Sequence, residues 1–377
     1  MLHKLIKWFK NRLPYNLKEI IKKVLRVSSS AHKVNVFAIV ETDPDKINIA
    51  IYAGGGLGDF IVYKAVIDNL IANYECRIYL FTISYENAEA ILGGIKHLHI
   101  YYPTALTDNN YFDMYLEFDY YINVKKCNIT KIKQKSLKLY ENINRIMTYN
   151  KTYIPTVDKI RAQRSDIIFR AKFLGLNRWT QLSCGGVFDL SGMRSGIVVD
   201  ENRNEVLDRY GLRETAYITL SRGADAGFGG MRHTKLWPLY RYEEFTRLFN
   251  DKYPAITTVQ LAKKGESQIG GIDLFIQDSQ FEDVKVIMAN SSVHIANDGG
   301  LVHTATQIGT KCIVLFGPTP EHYYGYHENA NIISHTCSGC MEATDDWFIN
   351  CPKGLNVPEC MEEISGKMVF EIFEKLC

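Results

Sequence analysis

Ser291-Ser292-Val293-His294-Ile295-Ala296-Asn297-Asp298-Gly299-Gly300-Leu301-Val302-His303-Thr304-Ala305 is the stretch on which the fold turns. A short apolar segment ends at Asn297-Asp298, two glycines follow, and a small-residue helix pattern begins at Leu301. This order predicts a strand, a sharp turn and a helix start. Glycines let a ligand approach the backbone closely, and the unpaired N–H groups of a first helical turn carry the positive end of the helix dipole. Such a terminus favours an anion, most often a phosphate. Asp298 stands where its carboxylate can hold hydroxyls beside that phosphate, which suits a nucleotide sugar better than a bare nucleotide.

The same alternation extends outward. Lys311–Phe316 reads as the next strand and ends in Gly317-Pro318-Thr319. Upstream come a short helix Glu201–Tyr210 closed by Gly211, strand Tyr217–Leu220, helix Tyr242–Asn250, strands Ile256–Leu261 and Ile272–Ile276, and helix Phe281–Ala289. Strand Ile332–Ile333 and a last helix Ile364–Leu376 complete this half. The first half repeats the pattern: strand Ile47–Tyr52, a glycine-rich turn Ala53–Asp59, a helix, strand Cys76–Ile83, helix Tyr85–Leu92 and strand His97–Tyr102. Alternating β and α segments predict parallel, doubly wound sheets. Residues 103–190 are harder to read: Phe112–Val124 is aromatic-rich, while Lys138–Tyr149 and Arg161–Leu174 have helical spacing. The pattern relaxes around Leu190–Asp200, where a hinge is expected.

At 377 residues the chain exceeds one ordinary core, so two α/β domains are expected, 34–195 and 196–377, with the last helix a candidate to pack back on the N-terminal domain. Lys+Arg 44 against Asp+Glu 42 gives no global charge that favours nucleic acid. The charge is uneven, however. Residues 1–33 hold nine Lys and Arg against Glu19 alone, a net +8 that leaves −6 for the rest. Leu2, Leu5, Ile6 and Phe9 share one helical face, as do Leu17, Ile20, Ile21, Val24 and Leu25 after Pro14. A basic amphipathic arm of this kind reads as an anchor on an anionic membrane surface, with a helix packed on the protein body as the alternative. No apolar run approaches the roughly 20 residues of a membrane span, and no secretory signal core is present. The expected location is the cytoplasm, peripheral to the inner face of the membrane.

Gly54-Gly55-Gly56-Leu57-Gly58-Asp59 lies between a strand and a helix but misses the dinucleotide spacing, because Asp59 stands where the third glycine is needed. A carboxylate there would repel a docked phosphate. It either accepts a proton from a neutral hydroxyl or caps its own helix, and the residues leave both open. In the second half, Arg222, Arg232, His233 and Lys235 crowd a glycine-containing loop after a strand. Such cations fit a diphosphate, Arg bidentately and Lys as a point charge, or belong to an ordinary basic surface loop.

Gly-Asp after the first strand, Lys235-x-Trp237-Pro238, and Asp298-Gly299-Gly300-Leu301-Val302-His303 followed by Leu315-Phe316-Gly317-Pro318-Thr319 resemble the bacterial heptosyltransferase family, in the same order over about residues 47–320. The resemblance implies a GT-B fold, two Rossmann-like domains facing a cleft, and inverting transfer from ADP-heptose without a catalytic metal. It places the base on Asp59, the phosphate-binding lysine on Lys235, the sugar-binding carboxylate on Asp298, and the diphosphate turn on Gly299, Gly300, Leu301 and His303. One departure is the triple glycine 54–56, where the family usually has Ser, often with Arg.

Cys337-x-x-Cys340, Cys351 and Cys360 match a four-thiolate structural site for zinc or iron, with two disulfides or four free thiols as alternatives. A cysteine finger in this place resembles the subgroup that glycosylates autotransporter proteins, where an iron is held. The expectation is a glycosyltransferase with a nucleotide-sugar donor and a glycan, lipid-linked or protein acceptor. A nucleotide-sugar epimerase of related fold and a non-catalytic metal-finger assembly module are the alternatives.

Overall fold

The computed structural model describes residues 42–103, 111–153, 164–199, 202–222 and 234–376. The basic arm 1–33 lies outside the described residues, as do Arg232 and His233 of the basic loop.

The first domain runs β1 (Ile47–Ala53), α1 (Leu57–Asn73), β2 (Cys76–Phe81), α2 (Tyr85–Leu92), β3 (Leu98–Tyr101), β4 (Met114–Phe118), β5 (Ile122–Cys127), α3 (Ile129–Lys135), α4 (Leu137–Tyr153), α5 (Arg164–Phe173) and α6 (Arg178–Leu182). Its sheet order is β3-β2-β1-β4-β5. All pairs are parallel except β4 with β5, where Phe118 opposes Ile122. This hairpin corrects the sequence reading, which left 112–124 without strands. Its signal is the alternation of buried Met114, Leu116 and Phe118 with partly exposed Tyr115 and Glu117. Ile47, Ile49, Ile51, Ile78 and Leu80 point to a core shared with α1, α2 and α4. Ala50, Tyr79 and Phe81 point to the other face, an aromatic cluster with Phe112.

The second domain runs α7 (Arg203–Arg209), β6 (Tyr217–Ser221), α8 (Leu239–Lys252), β7 (Thr257–Ala262), β8 (Leu274–Gln277), α9 (Phe281–Ala289), β9 (His294–Asn297), α10 (Gly300–Gln307), β10 (Cys312–Phe316), α11 (Glu321–Tyr324), β11 (Ala330–Ile333), α12 (Glu359–Glu362) and α13 (Gly366–Leu376). The order β11-β10-β9-β6-β7-β8, all parallel, is the doubly wound dinucleotide-fold arrangement. Ile218, Leu220, Ile313 and Leu315 pack against α8 and α13. Tyr217, Cys312, Val314 and Phe316 pack against α7, α9 and α10 on the opposite face. Strands covered on both faces read as unbroken apolar runs, which is why β10, Cys312-Ile313-Val314-Leu315-Phe316, stands out in the sequence. The last helix does not reach back across the cleft as expected: α13 packs on α8, where Phe249 meets Phe373 edge-on at 5.1 Å.

The segment 191–199 joins the domains without helix or strand. Gln307, the last residue of α10, clasps it: its Oε1 accepts the Ser195 N–H at 2.8 Å and its Nε2 donates to the Met193 carbonyl at 2.9 Å. No described helix is long and apolar enough to cross a membrane.

Candidate active site

In open parallel sheets, ligands bind beyond the carboxyl ends of the strands where the winding direction reverses. That point lies between β1 and β4 in the first sheet and between β6 and β9 in the second. Asp59 lies in the first turn of α1 after β1, Asp298 lies between β9 and α10, and the starts of these two helices touch. A Cβ on Gly58 would stand 2.5 Å from His303 Cδ2, and one on Gly300 would stand 2.8 Å from Leu57 Cβ. Each helix therefore carries a glycine where the other presses on it. A cavity of ≈ 240 Å³ opens at this junction, lined among others by Asp59, Arg178, Lys235, Asp298, Gly299, Gly300 and His303.

Asp59 is the third residue of α1. Its Oδ2 accepts the Gly56 N–H at 3.0 Å, so it does cap its own helix. Its Oδ1 accepts from Arg178 at 3.0 Å, and the side chain keeps 34 % of its surface exposed. Capping and an open oxygen edge thus coexist. Gly55, at φ +136°, leaves room for this carboxylate; a Cβ there would meet Asp59 Cβ at 2.7 Å. Gly54 and Gly56 face open space, so only the middle glycine of the three is required by contact.

Arg178 is the residue sequence reasoning missed. It opens α6, whose N-cap Asn177 accepts the Trp179 and Thr180 N–H groups. Its guanidinium is 5 % exposed and donates to the Asp119 carbonyl at 2.7 Å and the Tyr63 hydroxyl at 3.1 Å, besides Asp59. The rings of Tyr63 and Tyr120 lie 5.4 and 5.6 Å from it. The only local signal is the Asn177…Thr180 cap spacing, which announces a helix and not a partner for a residue 119 positions away.

Asp298 is 4 % exposed; Lys235 donates to its Oδ2 at 3.0 Å, and His303 Nε2 stands 3.6 Å from its Oδ1. Burial alone would raise this carboxyl, but the Lys235 ammonium, followed by His303, outweighs it and holds the group below its usual value. Burial pushes His303 below its ordinary value against the pull of Asp298 and Asp59, so the ring is neutral near pH 7. Its Nδ1 pairs with the Tyr326 hydroxyl at 3.0 Å. Of the expected donor-site residues, Lys235, Asp298, Gly299, Gly300 and His303 converge on the cavity. Arg222 and Leu301 are not among its described lining residues; Leu301, in the first turn of α10, packs against the core of the second domain instead.

The finger 337–360 supports this floor. Thr234, adjacent to Lys235, donates from its backbone to the Phe348 carbonyl at 3.0 Å and from its hydroxyl to the Trp347 carbonyl at 2.9 Å. Met341 and Phe348 complete one wall of the cavity. Cys337, Cys340, Cys351 and Cys360 are free thiols. Burial first, then the neighbouring Cys337, Cys340 and Cys351, pushes the Cys360 thiol up to about 12. Among the described residues no group of three or more His, Cys, Asp or Glu is arranged to hold a metal ion.

Two Rossmann-like domains meet over a cleft in the GT-B arrangement, one offering a carboxylate and the other a helix start with a lysine-paired aspartate. Residues 200–347 match the model of glycosyltransferase family 9 (heptosyltransferase). Among solved structures, the chain is similar to a family 9 glycosyl transferase from Veillonella parvula DSM 2008, at 15% identity and TM-score 0.50 over 90% of this chain and 98% of that one. It is also similar to TibC, an iron-containing dodecameric glycosyltransferase from enterotoxigenic E. coli H10407, at 12% identity and TM-score 0.52 over 88% of this chain and 76% of that one. A complex of TibC with ADP-D-beta-D-heptose aligns over the same shares with TM-score 0.53. At these identities the likeness is one of fold. None of the curated proteins compared with the chain matches it.

Proposed function

We propose that the protein transfers a sugar, heptose from ADP-heptose, to an acceptor hydroxyl with inversion at the anomeric carbon. The observation that carries this reading is the contact of the two helix starts, which brings Asp59 of one domain and the Asp298–Lys235 pair of the other to one cavity. The donor's diphosphate lies on the α10 start, where backbone N–H groups and the helix dipole favour it. Asp298 holds sugar hydroxyls, and Lys235 turns to the phosphate as the nucleoside diphosphate leaves. Charge that grows on the leaving group is where such donors gain most rate. Asp59 removes the acceptor proton while the hydroxyl attacks from the opposite face. Arg178 keeps that carboxylate aimed, because its own guanidinium is fixed by Asp119 and Tyr63. Of the described charged groups lining the cavity, Asp59 and Asp298 are balanced by Arg178 and Lys235, so the donor's added negative charge falls to the helix starts and to Arg222 just after β6.

Cys337, Cys340, Cys351 and Cys360 are of the chemical type that one soft cation, zinc or iron, would take in a closed structural site, although they are not gathered around an ion position in the structure. Such an ion would stiffen the finger beneath Lys235 rather than touch substrate.

Asp59→Asn is expected to lower transfer from ADP-heptose by about 10²–10⁴-fold, the usual worth of a general base, with ADP affinity within a few-fold of wild type. Lys235→Ala is expected to weaken ADP-heptose binding about 10–100-fold, as for a lost hydrogen bond to a charged group. Full turnover in Asp59→Asn, measured as ADP release, would refute the base assignment.

A further inference from the structure

Helix α5 is apolar on both sides. Its inner residues Ile167, Ile168 and Ala171 are buried against Tyr120 and Tyr323. On the outer side Phe169 and Phe173, one turn apart, stand 70% and 85% exposed, and Leu174 just beyond the helix is 44% exposed. Tyr153 and Met147 at the adjoining end of α4 are about half exposed. A small groove lined by Tyr149, Tyr153, Arg170 and Leu174 joins the two helices. A helix this apolar on its water-facing side is made to be covered by something else.

Charge decides what covers it. Lys172 and Arg170 flank the two phenylalanines on the α5 surface and Lys151 lies on α4, all exposed, against Asp166 alone among the described acids of α5. A two-fold contact with a second copy would set this basic patch against itself. The N-terminal arm, at a net +8, is repelled for the same reason. A surface of anionic headgroups satisfies both features: aromatic rings enter the acyl boundary while Lys and Arg extend to the phosphates.

We propose that the outer face of α5, centred on Phe169 and Phe173, docks on an anionic lipid surface. The face is independent of the arm and belongs to the acceptor-side domain. Its buried side packs on Tyr120, whose ring lies 5.6 Å from the Arg178 guanidinium that holds Asp59. Helix α5 is therefore linked through Tyr120 to the acceptor side of the cleft.

The test uses the full chain with phosphatidylcholine vesicles, with and without phosphatidylglycerol, and amide hydrogen exchange read over 164–176. Exchange there is expected to slow with phosphatidylglycerol and not with phosphatidylcholine alone. Phe169→Ser/Phe173→Ser is expected to weaken vesicle partition by at least about tenfold, given the apolar area withdrawn. Arg170→Glu/Lys172→Glu is expected to abolish the preference for anionic vesicles while leaving the rings in place. Three results would overturn the proposal: no binding of wild type to anionic vesicles, binding that leaves exchange at 164–176 unchanged, or protection of 164–176 that grows with protein concentration in lipid-free buffer. The second result assigns the membrane contact elsewhere in the chain, and the third assigns the face to a second copy.

Discussion

Asp59 shows how much one side chain can be asked to do. Its two oxygens are taken by different partners, the Gly56 N–H and the Arg178 guanidinium, so its direction is set from both sides. Arg178→Lys keeps a charge but loses the rigid fork that spans Asp59, Tyr63 and the Asp119 carbonyl. Steady-state assays are expected to show a kcat at least about tenfold lower, with the ADP-heptose KM little changed, since misaiming a catalytic group costs rate rather than affinity. An equal loss in kcat and in ADP affinity would mean that Arg178 serves the donor instead. This residue also marks the limit of reading the chain by eye. Asp298 and Asp59 announce themselves because each sits beside a glycine turn after a strand, and Lys235 because it falls in a run of cations and in Lys235-x-Trp237-Pro238. Arg178 sits in a short helix within the least periodic third of the chain, and its meaning comes from a partner brought to it by folding.

At the scale of elements, α1 and α10 meet tip to tip, and the finger underpins Thr234 beside Lys235. Gly300→Ala places a methyl 2.8 Å from Leu57 Cβ, so the helix starts must part. The overpacking cost is about 1–3 kcal/mol, and donor turnover is expected to fall more than thermal stability, which melting curves and ADP release together would check. Cys351→Ser is expected to remove bound zinc or iron in metal analysis and to weaken ADP-heptose binding through the Thr234–Phe348 tie. Less than about half an equivalent of metal in the wild type would leave the thiols without that role. Helix α9 and strand β10 were legible because apolar period and glycine punctuation agree there. The β4–β5 hairpin was not, because its tyrosines and lysines hide a two-residue alternation. The position of α13 was misjudged because an amphipathic terminal helix does not state which groove receives it; the aromatic side of α8 does.

For the molecule as a whole, acid is the expected weakness. Burial lowers His294 to about 4 from its ordinary 6.5, and its ring nitrogens lie 3.0 and 3.3 Å from the Thr219 and Ser221 hydroxyls. Between those values the unfolded chain binds a proton that the folded protein refuses. The stability is therefore complete above pH 6.5 and drains away as pH falls toward 4, by at most about 1.4 kcal/mol per pH unit for this group. His303 is shifted in the same direction. Asp298, held below its usual value, adds a further loss below about pH 4. Urea titrations across pH 4–7 should show this slope, and His294→Gln should flatten it even where it lowers the midpoint; an unchanged slope would exclude His294 as its source. A last consequence follows from the Gln307 clasp. The rod that receives the leaving group at its front is bolted at its back to the strap between the two halves. In the proposed reaction, filling the seat and setting the jaw angle are expected to change together.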